Sequence, residues 1–336
     1  LICFLIPLQG RSQDTIVFDG SGKYLNKSIA NEFTIYSSDK YYDFSALGYP
    51  DTWKKMEKRK IKNSVENLDF TTQYHYIHMI LINKSGTNKL IYLETARPIT
   101  NTVEFLPSRY GQLNWTEVRR SGDGIPFSDK WIQTNRTVLP FDLKVNDTLI
   151  GMLIVGSDGE AVTLPMIFWD KPNFEIGLIQ GQFHSGIFYG IFIFVIIIYG
   201  TFYVLLKDRL FLLYTIYVAF SGLLQFALDG YVHQYIFPSG RYMTHHSVIL
   251  IAGTTVWFAL SYATKYLELT GRNLLISRIF LGLVAVTTLA SLIPGVIFET
   301  CYPLINLFSL LSLIFLLIVG IRVRKRQTVN PLFLTG

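Results

Sequence analysis

Two hydrophobic patterns divide the chain. From about Thr15 to Phe174, apolar residues come in short alternating runs separated by turn residues, as pleated strands require when successive side chains face opposite ways. Eight runs stand out: TIVFDG, FTIYSS, YHYIHMILIN, KLIYLET, TVEFL, RTVLPFDLKV, TLIGMLIVG and VTLPMIFW. Their number and spacing predict a β-sandwich. In the third run Tyr74, Tyr76, His78, Ile80 and Ile82 share one face, and His75, Ile77, Met79 and Leu81 share the other. Both faces are fairly apolar, which predicts a central strand. The segment WKKMEKRKIKNSVENL interrupts the alternation with Lys54, Lys55, Lys58, Arg59, Lys60 and Lys62. Such a run reads as a solvated loop or helix face in preference to an anion-binding surface.

After His184 the alternation gives way to SGIFYGIFIFVIIIYGTFYVLL, more than the roughly 20 apolar residues that cross a bilayer. Four more spans are predicted at about residues 210–228, 247–262, 279–298 and 304–323. The closing NPLFLTG reads as the start of a sixth. The opening LICFLIPLQG reads as the end of a secretory signal peptide, so the sequence is expected to be a fragment at both ends. The expected organisation is a signal-peptide remnant over 1–12, an extracytoplasmic β-domain over 13–176 and a helical transmembrane domain over 177–336.

Composition agrees with this division. Half the residues are hydrophobic and 16% are charged, against about 25% in soluble chains, which excludes disorder. Cys3 and Cys301 are too few for a disulfide framework or an ordinary zinc site. The net charge of +6 arises wholly after residue 180, where 10 basic residues face 4 acidic ones. Basic residues in the oiliest part of the chain point to lipid, not nucleic acid. Nine of those ten fall on one side of the predicted spans: Lys207, Arg209, Lys265, Arg272, Arg278, Arg322, Arg324, Lys325 and Arg326, with Arg241 opposite. Because such residues stay on the cytoplasmic side, the β-domain is expected outside.

Neither half carries a nucleophile elbow, a phosphate-binding glycine loop or a metalloprotease helix, so the visible chain is not expected to be an enzyme. Recognition chemistry remains. Tyr110, Trp115, Asp123 and Trp131 supply flat aromatic faces beside a carboxylate, the combination that sugars need, within one loop-rich stretch. Aromatics plugging the ends of the sandwich are the equal alternative. A second polar group, Asp229, His233, His245, His246, Glu299 and Cys301, falls at the outer ends of the spans. Ordinary interfacial hydrogen bonding is the favoured reading, with proton or metal sensing as the alternative, and no metal site is assigned. Asp229 stands apart because a carboxylate beside hydrocarbon is costly and tends to be functional.

The order of these features resembles the bacterial seven-transmembrane receptors with diverse intracellular signalling modules. In the helical half the resemblance rests on Gly186, Gly190, Tyr199, Arg209, Tyr214, Tyr217, Gly230 and Pro238. In the outer half it rests on LIYLETARPITNTVEFLPSRYGQLNWTEVRRSGDGIPFSDKWIQTNRTVLPFDL, which is similar to the family's second extracellular domain, a jelly roll akin to carbohydrate-binding modules. The resemblance implies an all-β jelly-roll or β-sandwich ectodomain followed by an α-helical transmembrane bundle in a bacterial inner membrane. It further implies a receptor for an extracytoplasmic small molecule or glycan, and a cytoplasmic effector such as a histidine kinase, nucleotide cyclase or phosphatase. No cofactor is expected, and homodimerisation is open. A membrane-tethered carbohydrate-binding or adhesion protein without signalling is the alternative, and a transporter is disfavoured because the spans show no inverted repeat. The sequons at Asn26, Asn83, Asn114, Asn135 and Asn146 are read as chance products of an Asn- and Thr-rich β-protein.

Overall fold

The computed structural model describes residues 14–109, 117–240 and 242–326, with side chains as far as Arg322. Two compact units are present. One comprises the chain as far as Gln182 together with Asp229–His245; the other comprises Phe183–Leu228 and the chain from His246 onward.

The first unit is built on strands β1 (Thr15–Phe18), β2 (Thr34–Ser38), β3 (Glu57–Lys60), β4 (Glu66–Phe70), β5 (Tyr74–Asn83), β6 (Lys89–Ala96), β7 (Thr102–Arg109), β8 (Arg119–Ser121), β9 (Thr137–Leu143), β10 (Thr148–Gly156), β11 (Ala161–Leu164) and β12 (Ile167–Asp170). The larger sheet runs β3-β2-β5-β10-β7-β8. A three-stranded sheet runs β12-β6-β9, and β11 pairs with β4. β5 is central, as its two apolar faces predict. It pairs antiparallel with β10 on one side, and on the other it takes β2 along Tyr74–Ile77 and β1, in parallel, along Ile80–Asn83. Ile77, Met79 and Leu81 enter the core between the sheets with Phe105, Leu153, Leu93, Phe141 and Phe168. Tyr76, on the opposite face, packs with Leu106, Met152 and the short helix α1 (Phe44–Leu47), beside Trp53 of α2 (Pro50–Lys54).

Two local outcomes differ from the sequence pattern, and a third accords with it. VTLPMIFW is two strands: Pro165 has no amide to donate, Met166 takes φ 48°, and β11 and β12 pair with β4 and β6 respectively. The charged stretch 57–60 forms neither loop nor helix but the edge strand β3, exposed at all four positions, where lysines discourage further strand addition. Asn83, the second sequon asparagine, is fully buried; its amide donates to the carbonyls of Thr87, Leu143 and Lys144 at 2.8, 3.0 and 3.1 Å. The amide is therefore a structural strut with no room for a glycan.

The remaining elements are helices α3 (Lys171–Leu206), α4 (Arg209–Leu228), α5 (Tyr242–Tyr266), α6 (Gly271–Ala290) and α7 (Val296–Arg326). All five are long and apolar enough to cross a membrane. Asp170 caps α3 by accepting from the Asn173 amide at 2.9 Å. Thr254 and Thr255 leave α5 intact because each hydroxyl bonds the carbonyl one turn back, at 2.7 Å. The predicted fourth span lies too far along the chain. Helix α6 ends at Ala290, and the following turn, closed by Gly295 at φ +85°, contains the apolar Leu292 and Ile293, which extend the hydrophobic run beyond the helix.

Candidate functional site

Within the first unit, a group of buried polar residues gathers where the loop after β8 meets the Asp229–His245 segment. Its base is backbone geometry. Gly122, at φ +112°, and Gly124 lie against the carbonyls of Thr100 and Asn101, where a Cβ would collide with the backbone. Asp123 N donates to Thr100 O at 3.1 Å and Gly124 N to Asn101 O at 2.9 Å, which turns the Asp123 side chain inward. Its Oδ1 accepts from Asn101 Nδ2 at 3.2 Å, while Asn101 Oδ1 accepts from the Asp158 amide at 2.9 Å. Asn101 thereby ties the β8 loop to the β10–β11 turn.

Charges follow that frame. Asp123 is 2% exposed and Lys130 4%. Burial raises the Asp123 carboxyl to about 7 and lowers the Lys130 ammonium to about 8, because each charged form is deprived of water. Lys130 Nζ donates to Thr134 O at 3.3 Å and lies 5.4 Å from the centre of the Phe127 ring. His245 Nδ1 lies 3.2 Å from Asp158 Oδ2. The other polar atoms of this pair, Asp158 Oδ1 and His245 Nε2, are buried with no hydrogen-bond partner among the described residues.

The segment itself is fastened at several points. Asn135 Nδ2 donates to Asp229 O at 2.8 Å and Phe127 N to Pro238 O at 2.8 Å. His233 sits in a π-helical turn, Val232–Ile236, and is 3% exposed. Burial lowers it to about 4, so the ring is neutral at physiological pH and donates from Nε2 to Ile125 O at 3.0 Å. Gly230 and Gly240, at φ +80° and +62°, pass so close to Pro98, Asn135 and Ile125 that a side chain would collide.

The residues singled out in the sequence fare differently. Tyr110 and Trp115 lie outside the described residues. Asp123 is a buried member of the polar group. Trp131 is 54% exposed, with the Arg119 guanidinium 5.1 Å from its ring centre. Asp229 is half-buried and joins the site through its carbonyl, His233 through its ring. His245 joins this group, whereas His246 packs on Phe298 at 4.2 Å in the helical unit. Asn101, Lys130 and Asp158 are not among the residues singled out: Asn101 and Asp158 lie in turns, and Lys130 lies beside Trp131 in the loop-rich stretch without a signal of its own. No set of three metal-ligating side chains converges among the described residues.

A β-domain followed by five helices long and apolar enough to cross a bilayer is the architecture of a membrane protein. Residues 40–170 match the family model described as 7TMR-DISM extracellular 2, and residues 181–336 match the model described as 7TM diverse intracellular signalling. The chain belongs to this family of seven-transmembrane signalling receptors, and the matched parts are receptor domains rather than catalytic ones. No curated protein matches it.

Proposed function

We propose that this chain is a bacterial receptor of the cytoplasmic membrane whose β-domain binds an extracytoplasmic carbohydrate and whose Asp229–His245 segment relays binding to a cytoplasmic effector. The observation that carries this reading is the fastening of that segment into the β-domain by His233, Asn135, Phe127 and the Asp158–His245 pair. The same segment is covalently continuous with α4 at one end and contains the first turn of α5 at the other. A ligand that binds two arrangements of the β-domain unequally shifts the position of the segment by that difference in affinity, and no further. Exposed Trp131, braced by Arg119, is the aromatic face offered to a sugar ring.

The test is a glycan screen on the full chain in nanodiscs, followed by amide hydrogen exchange with and without the glycan found. Changed exchange at Val232–Ile236 and the start of α5 supports relay. A bound glycan that leaves those amides unchanged fits a tether without signalling, and the absence of any bound glycan removes the ligand class.

A further inference from the structure

A shallow groove of about 490 Å³ runs between α5 and α6 within the helical unit. Trp257, Ser261 and Lys265 contribute to it from α5, one helical turn apart, and Glu268 continues the same stripe. Leu274, Arg278 and Leu281 face them from α6 at spacings of four and three. The groove is thus apolar at the Trp257 and Leu281 end and charged at the other. Eight residues separate Trp257 from Lys265, about 12 Å along a helix, comparable to the depth from a phosphate layer into the upper acyl region.

Two cations and one carboxylate line the charged end, a net charge of +1. Lys265 also lies 3.3 Å from Asp208. Arg278 has no carboxylate within ion-pair distance among the described residues. Thr264, beside Lys265, bonds the Ser277 hydroxyl, which holds the two helices at this level. These groups lie at the side of the spans that carries nine of the ten basic residues of the helical half. Basic pockets between helices on that side are suited to anionic headgroups.

We propose that this groove binds an anionic phospholipid, with the phosphodiester between Arg278 and Lys265 and the upper acyl chains against Trp257 and Leu281. Arg278, which has no carboxylate partner among the described residues, suits a singly charged phosphodiester, while Glu268 and the Asp208 carboxylate beside Lys265 disfavour a headgroup with further negative charge. Arg278 reaches the phosphate level by extending its aliphatic stem along the apolar wall. Inorganic phosphate shares the headgroup chemistry but would leave the Trp257 end uncovered.

Native mass spectrometry of the full chain in detergent tests this with phosphatidylglycerol, phosphatidylcholine of the same acyl chains, and inorganic phosphate. Phosphatidylglycerol is expected to be retained over phosphatidylcholine, and inorganic phosphate at equal concentration is expected not to displace it. Arg278→Gln and Lys265→Gln are each expected to weaken retention about fivefold. Arg278→Lys is expected to keep most of it, and Arg322→Gln, outside the groove, to change nothing. Equal retention of the two lipids, displacement by inorganic phosphate, or wild-type retention in both glutamine variants would overturn the assignment.

Discussion

The inter-sheet core and the long helices use the same apolar side chains under opposite exposure. In the β-domain Ile77, Leu81 and Phe141 are fully buried; along α3, Ile197 and Leu205 are 60% and 71% exposed. The sandwich provides its own apolar surroundings, whereas the helices obtain theirs from lipid, which is as apolar as their side chains. Chemically alike truncations should therefore differ most between these places. Phe141→Ala, which empties a site between Phe105 and Phe168 at 5.6 and 6.1 Å, is expected to destabilise the β-domain by about 3–5 kcal/mol. Ile197→Ala is expected to cost less than about 1 kcal/mol in a bilayer, since lipid fills the space it leaves. Thermal melts of both variants in nanodiscs measure the contrast, and equal costs would break it.

A polar strut should matter nearly as much as an apolar one where water is absent. Asn83→Ala removes the donor to three carbonyls, of which that of Leu143 is buried and those of Thr87 and Lys144 are partly buried, and is expected to cost roughly 1–3 kcal/mol. A melt within 1 °C of wild type would show that those carbonyls find other donors.

The buried charges sharpen the comparison through pH. Asp123 binds its proton more tightly folded, at about 7, than at its ordinary 3.8. The stability it contributes is fully present below pH 3.8 and is lost as pH rises through 7. Asp123→Asn, which resembles the protonated acid, should therefore gain stability relative to wild type as pH rises from 4 to 7. His233, lowered to about 4, acts in the opposite sense between pH 4 and its ordinary 6.5, but it is present in both proteins and cancels from the difference. A pH-independent difference in melting temperature would contradict burial as the cause.

Trp131 should show the smallest stability effect. Its exposure limits the cost of Trp131→Ala to about 0.5 kcal/mol, with glycan binding lost if the ring is the platform. A drop of several degrees would make it a structural plug instead.

Much of the architecture was legible in the sequence because bilayer and pleat each impose a period on the side chains. The central placement of β5 followed from two apolar faces, and all five helices followed from apolar length. The edge strands β3 and β4 were not legible, since exposed Glu57 and Lys58 need no apolar alternation to pair with a neighbour. The polar group was legible only in pieces. Asp123 and His233 drew notice as chemistry, yet the burial that defines them comes from Asn101, Ile125 and Asp158, brought together by turns far apart in the chain. Gly122 and Gly124 mark the turn in the sequence, but nothing there indicates which carbonyls press against them.

The fastening of Asp229–His245 has a consequence for how such proteins can be recombined. The outer unit is spatially continuous but discontinuous in sequence, because the chain leaves it at Gln182 and returns at Asp229. A chimaera that transplants only residues 14–182 would set Pro98 and Ile125 against a foreign connection lacking Gly230 and Gly240, and any side chain there would strike their backbone or ring. The transferable module is therefore two segments of the chain, and swaps of ectodomains among these receptors should succeed when both are moved together.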